Sequence, residues 1–170
     1  MQAGSFVRAA SVGLFFVLGS CGAGSGVGEK SFQKQYAVAR DALERGHYVR
    51  ATETYAVLIP QSGPLKPRLT LEYTHALLRA GRFEKASAHA EALARSSHGT
   101  ARSAALAVQG TADHELGLTA LFEGDKAAGK QHLQKASAAL GELLAKDADL
   151  DPLGSMAERK SSIDATLKTL

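Results

Sequence analysis

The apolar positions of this chain form one short run near the N-terminus and then recur among polar positions to the end. The run spans residues 9–18, and a glycine-rich segment at 22–28 separates it from the rest. Abundant alanine, few aromatic residues and the absence of tryptophan favour packed helices over sheets. The predicted helices cover residues 30–45, 48–60, 66–80, 83–96, 100–122, 125–146 and 153–168. We therefore expect an all-α fold.

An internal repeat lies within this helical part. Residues 42–51 align with residues 77–86, and five positions recur at a spacing of 35 residues. The aligned pairs are Leu43 and Leu78, Gly46 and Gly81, Tyr48 and Phe83, Ala51 and Ala86, and Leu58 and Leu93. Each glycine suits a left-handed turn that ends a helix, and each alanine lets two helices approach closely. A fixed period of this length predicts stacked helical hairpins.

A third, degenerate copy of the repeat is expected at residues 121–128. Its turn glycine is Gly124, and Lys126 stands where the aromatic residue would be. The last helix is predicted to begin at the pair Asp151 and Pro152, an N-cap acid followed by a first-turn proline. Its apolar side would cap the exposed end of the stack through Met156, Ile163 and Leu167.

The glycine, aromatic and alanine positions of the two turns resemble the tetratricopeptide repeat. Tyr55 fits the later aromatic position of that family, whereas its counterpart Ala90 does not. The Trp-Leu-Gly start of the family's first helix is missing from both units. The resemblance implies a short α-solenoid of helical hairpins over residues 30–170, closed by a C-terminal capping helix.

The N-terminal run is typical of an export signal. Arg8 precedes about ten apolar residues, well short of the roughly 20 that span a bilayer. The run ends in Leu18-Gly19-Ser20-Cys21, which resembles the lipobox of bacterial lipoproteins. That resemblance implies removal of residues 1–20 and lipid attachment to Cys21. The glycine and serine residues that follow predict a flexible tether over residues 21–29. The alternative is an ordinary secretory signal in which Cys21, the only cysteine, is incidental.

The same resemblance implies a location. In the lipoprotein family, aspartate directly after the cysteine often retains the protein in the inner membrane. Gly22 stands at that position here. We therefore expect the protein to be lipid-anchored in the outer membrane and to face the periplasm.

The net charge and the motifs of the sequence limit the functions and binding sites that we expect. The formal net charge of +3 is mild, and no basic run with interleaved aromatic residues suggests nucleic acid binding. No His-Glu-x-x-His or Gly-x-Ser-x-Gly motif is present, and the six histidines are scattered. Carboxylates such as Glu142 and Asp147 are expected on solvated helix faces. We expect no enzymatic activity, no cofactor and no metal site.

The tetratricopeptide resemblance also implies a binding groove lined by the first helix of each hairpin. The groove positions, transferred through the turn glycines, are Tyr36, Arg40, Leu43, Arg68, Leu71, His75, Arg79, His114 and Leu118. Their mixture of positive charge and apolar surface suits a partner segment with carboxylates and a few large side chains. The alternative is that these residues only keep the helices soluble.

Two classes of function remain open. The first is an anchored scaffold for pilus or secretion-system assembly, similar to TadD-type pilus lipoproteins or pilotin lipoproteins. The second is an accessory lipoprotein that recruits or regulates a cell-wall or polysaccharide enzyme through the same groove. In both, the partners are proteins of the envelope, and the lipid holds the chain at the membrane.

Overall fold

The computed structural model describes residues 26–170, so the predicted signal segment and Cys21 lie outside the described residues. Within this range there are seven α-helices and no strand. They are α1 (Gly26–Glu44), α2 (Tyr48–Leu58), α3 (Lys66–Arg79), α4 (Phe83–Ser96), α5 (Gly99–Phe122), α6 (Lys126–Lys146) and α7 (Ser155–Leu167). Short 3-10 turns lie at Ile59–Gln61, Gly63–Leu65 and Ala148–Leu150. The all-α prediction is confirmed.

Every helix end but the start of α1 falls within two residues of its predicted position. Helix α1 begins at Gly26, so the last four residues of the predicted tether are helical. Helix α7 begins at Ser155, which leaves Pro152 outside it. The Asp151 carboxylate nevertheless caps α7, because it accepts the backbone N–H groups of Met156 and Ala157.

The same turn recurs between α1 and α2, α3 and α4, and α5 and α6. Its glycines, Gly46, Gly81 and Gly124, have φ angles of 79°, 70° and 87°. Each glycine N–H donates to the carbonyl three residues back, at 3.1–3.2 Å, and the next N–H donates to the carbonyl five residues back, at 2.8–2.9 Å. This pair of bonds is the Schellman motif, which needs a left-handed residue at the glycine position. The third, degenerate copy therefore makes the same turn as the first two.

The core is divided into clusters that follow the chain. The first joins α1, α2 and α3 around the fully buried Tyr55, and the last joins α6 to α7 around the fully buried Ile163. Between them, Leu77, Ala86 and Ala112 join α3, α4 and α5, and a further cluster joins α4, α5 and α6. Neighbouring helices in the chain thus supply one another's buried surface, and every cluster lies within residues 32–167.

Helices α5 and α6 approach each other closely at three glycines. A Cβ atom placed on Gly110 would lie 2.7 Å from Leu140 Cγ, and one on Gly117 would lie 2.7 Å from Leu133 Cδ2. Gly129 lies five residues after its turn glycine, the position that Ala51 and Ala86 occupy in the first two hairpins. None of the helices in residues 26–170 combines the length and the apolar character that crossing a bilayer requires.

Candidate functional site

Glu72 of α3 contacts three of the predicted groove residues, although it was not itself predicted to line the groove. Its Oε1 accepts hydrogen bonds from the Tyr36 hydroxyl at 2.8 Å, from Arg40 at 3.2 Å and from Arg68 Nε at 3.2 Å. Its Oε2 accepts the hydroxyl of Tyr55 at 2.9 Å. The Glu72 side chain is only 14% exposed. One carboxylate therefore ties α1, α2 and α3 together.

This Glu72 cluster, formed by Glu72 with Tyr36, Arg40, Tyr55 and Arg68, changes the electrostatics of the predicted groove. Arg40 also pairs with Glu44 at 2.8 Å, so two carboxylates balance the two arginines. The pKa of Arg40 is raised, chiefly by the bond to Glu44. Burial raises the pKa of the Tyr55 hydroxyl, and the bond to Glu72 adds to that shift. The arginines of this cluster carry little uncompensated charge for an acidic partner.

The other predicted residues of the first two hairpins have different surroundings. Leu43 and Leu71 are half-buried and pack against core clusters. Arg79 lies over the ring of Tyr48, with its guanidinium carbon 4.9 Å from the ring centroid, and donates to the Tyr48 hydroxyl at 2.6 Å. His75 is exposed, yet desolvation by the surrounding protein atoms lowers its pKa, and the charge of Arg79 is a smaller cause.

His114 and Leu118 form a separate group on α5. Arg159 of α7 donates to His114 Nδ1 at 2.6 Å and to Glu115 at 3.0 Å. Burial lowers the pKa of His114, and the charge of Arg159 lowers it further. Leu118 is 43% exposed, and Phe122, one turn later, is 94% exposed. Helix α7 therefore contacts the predicted groove residue His114 and leaves Leu118 exposed.

The structure thus divides the nine predicted groove residues. Tyr36, Arg40 and Arg68 meet at Glu72, whereas His114 meets α7. Arg159 gave no signal in the sequence, since its contact depends on how α7 folds back. For Glu72 there was a weak signal, because it follows Arg68 by one helical turn, a spacing at which opposite charges pair.

Glu142 and Asp147, which were expected on solvated helix faces, instead accept hydrogen bonds from side chains of α5. Arg102 holds both oxygens of Glu142, at 2.8 and 3.0 Å, and also donates to the carbonyl of Ala94. The hydrogen bonds from Arg102 and Lys146 lower the pKa of Glu142 to about 2. Asp147 accepts the hydroxyl of Ser103. These bonds fasten α4, α5 and α6 to one another.

One further carboxylate is buried between α5 and α6. Asp113 Oδ1 lies 3.0 Å from His132 Nδ1, and the Asp113 side chain is 1% exposed. No group of three or more His, Cys, Asp or Glu side chains in residues 26–170 has the arrangement of a metal site. Comparison with protein-family models, with curated proteins and with solved structures finds no match to this chain.

Proposed function

We propose that the protein is a lipid-anchored scaffold on the periplasmic face of the outer membrane. Its helical hairpins would form a tetratricopeptide-like stack that binds partner proteins during pilus or secretion-system assembly. The lipid would be attached at Cys21, where the Leu-Gly-Ser-Cys sequence resembles a lipobox. The stack would hold its partners through the first helices of the hairpins, α1, α3 and α5.

The observation that carries the proposal is the threefold recurrence of one helix turn. Three Schellman turns with positive-φ glycines are each followed, five residues later, by a fully buried alanine or a buried glycine. Repetition of a local unit, in which each helix packs on its neighbours, is typical of arrays that present an extended binding surface. It supports a binding role over a catalytic one.

The Glu72 cluster supports a preformed surface. Four side chains from three helices donate to one nearly buried carboxylate, so α1, α2 and α3 are fixed relative to one another. A surface that is already ordered loses less entropy when a partner binds. We therefore expect the first two hairpins to bind without rearrangement.

The charge balance of the cluster alters the expected partner. Arg40 and Arg68 are paired with carboxylates, whereas Arg79 makes no ion pair with any described residue. Leu118 and Phe122 form an exposed apolar pair at the end of α5. The partner segment would therefore contribute large apolar side chains and few carboxylates.

Recovery of partners from membranes tests the proposal. The full chain would be purified from the native bacterium and its companions identified by mass spectrometry. We expect pilus or secretion proteins with wild type, and at least tenfold less of them with Leu118→Ser combined with Phe122→Ser. The matched control is Val57→Ser, a 58% exposed apolar residue of α2.

Three results would contradict parts of the proposal. Equal recovery with the α5 variant and wild type would remove the binding face from α5. Recovery of cell-wall or polysaccharide enzymes alone would replace the scaffold by the accessory role. The Cys21→Ser variant should remain an unprocessed precursor without lipid label, and its normal maturation would refute the lipid anchor.

A further inference from the structure

We propose that the end of the molecule at which α1 begins lies on the membrane surface and binds anionic lipid headgroups. This membrane-facing end consists of the start of α1 and the loop between α2 and α3. The inference rests on the proposed function in one respect, because the lipid at Cys21 would bring this end to the bilayer. The contact itself would not depend on the lipid.

A cleft of about 780 Å³ lies at this end. It is lined by Gly28, Phe32, Gln33, Tyr36 and residues 61–65. The rings of Phe32 and Tyr36 stack with their centroids 6.5 Å apart and their planes 11° from parallel. Stacked aromatic rings beside a leucine and a proline make a surface that suits acyl chains at the boundary with the headgroups.

Leu65 projects from the rim of this cleft. It is 48% exposed, yet its backbone is ordered by two 3-10 turns that each contain a proline. Ser62 reinforces the loop, because its hydroxyl donates to the Ile59 carbonyl and its own carbonyl accepts the N–H of Leu65. A second, apolar cleft of about 350 Å³ lies on the other side of Leu65 and extends to Leu71 and Leu93. The leucine is thus held outward between two apolar surfaces.

Two exposed lysines lie at the same end of the molecule as these clefts. Lys66 follows Leu65 directly, and Lys30 lies in the first turns of α1. Both are exposed, and neither makes an ion pair with the described residues. The nearby acid of α3, Glu72, is nearly buried under its four donors. Exposed lysines around an apolar patch attract the phosphates of anionic lipids.

The length of the chain before α1 favours a membrane over an acidic protein segment. Four residues lie between Cys21 and Gly26, and a fully extended chain over these five Cα–Cα steps spans at most about 18 Å. The opposite end of α1 is about 28 Å away, since the helix has 19 residues. A lipid at Cys21 would therefore keep Leu65 and Lys66 within reach of the headgroups, whereas the glycine turns lie a helix length further from the lipid.

Vesicle binding by the unlipidated chain, residues 22–170, tests the inference. This chain retains every core cluster of the described residues, because these clusters lie within residues 32–167. Vesicles of phosphatidylglycerol mixed with phosphatidylcholine would be compared with pure phosphatidylcholine by co-sedimentation. We expect binding to the anionic vesicles only, and weaker binding at high salt.

Two variants probe the surface directly. Lys30→Gln combined with Lys66→Gln should lower the partition coefficient about 25-fold, since each cation near the surface contributes about fivefold. Leu65→Ser should also lower it. The matched controls are Lys85→Gln combined with Lys126→Gln, and Val49→Ser, all exposed positions near the glycine turns. We expect these controls to bind as wild type does, and circular dichroism would show that every variant stays helical.

Each contrary result overturns the inference. Absence of binding to anionic vesicles at low salt would do so, as would equal losses in the test and control variants. Binding of an acidic peptide that requires Lys30 and Lys66, with vesicle binding unchanged, would assign the surface to a protein. Because the chain tested carries no lipid, these failures are distinct from a failure of Cys21 lipidation, which Cys21→Ser measures.

Discussion

The contact between α5 and α6 predicts that alanine substitutions at two helical glycines will have opposite effects. At Gly110, an added Cβ would lie 2.7 Å from Leu140 Cγ and 3.3 Å from the Ala136 carbonyl oxygen. Leu140 is fully buried, so its side chain cannot move aside into solvent. Overpacking of this kind costs about 1–3 kcal/mol, against a gain in helix propensity of about 1 kcal/mol. Gly110→Ala should therefore lower the free energy of unfolding by up to about 2 kcal/mol.

Gly141, within α6, provides the matched control. A Cβ there would meet only the side chain of Lys160, whose Cε lies 3.1 Å away and can move. Gly141→Ala gains the same helix propensity of about 1 kcal/mol without overpacking. The difference between the two variants therefore isolates the packing cost of about 1–3 kcal/mol.

Urea unfolding and thermal melts of both variants measure this difference. For a domain of this size each kcal/mol corresponds to about 2–4 °C in Tm. In a Leu140→Ala background, which removes the colliding atoms, the cost of Gly110→Ala should shrink or change sign. Equal stability changes in the two glycine variants, or an unchanged cost in the Leu140→Ala background, would refute the close approach of α5 and α6.

Three more predictions follow from other contacts. Ala51→Leu and Ala86→Leu should each lower the free energy of unfolding by about 1–3 kcal/mol, because both alanines are fully buried next to the repeated turn. Thermal melts in which both variants match wild type would contradict the alignment of the hairpins. Glu142→Gln should lower the free energy of unfolding at neutral pH, and this loss should vanish as the pH falls from about 4.5 towards 2. The reason is that Glu142, whose pKa is lowered in the fold, stabilises the protein only while its carboxylate is charged. A loss in urea unfolding that does not depend on pH would contradict this. In urea unfolding, Glu72→Gln should lower the free energy of unfolding by about 1–3 kcal/mol, because donors of α1 and α2 would lose part of their set of acceptors. Glu53→Gln, at an exposed position, should leave the stability unchanged.

The helix boundaries could be predicted because the features that set them are local. A glycine that must adopt positive φ ends a helix wherever it stands, so Gly46, Gly81 and Gly124 marked three turns correctly. The start of α1 was placed too late, because the glycines of residues 22–28 suggested a flexible tether. Helical structure extends back to Gly26 despite that composition.

The contacts of the predicted groove were not accessible from the sequence for the opposite reason. The donors to Glu72 include residues 17, 32 and 36 positions away, and Arg159 is 45 positions from His114. Such pairs depend on how the faces of packed helices meet, which periodicity alone does not determine. The glycines of α5 and α6 were a missed signal, since Gly110 and Gly117 are two turns apart on one helix face.

The division of the core into clusters along the chain has a mechanical consequence. A chain held at its N-terminus and pulled through a partner on α5 would bear tension across α1 to α4. Because the cluster of α1, α2 and α3 is separate from that of α6 and α7, the first three helices can unfold together while the tightly packed α5 and α6 stay folded. Unfolding of residues 26–79 would lengthen the connection by up to roughly 150 Å. The helices near the N-terminus could thus act as an extensible link that unfolds under force, while a partner bound to α5 stays attached.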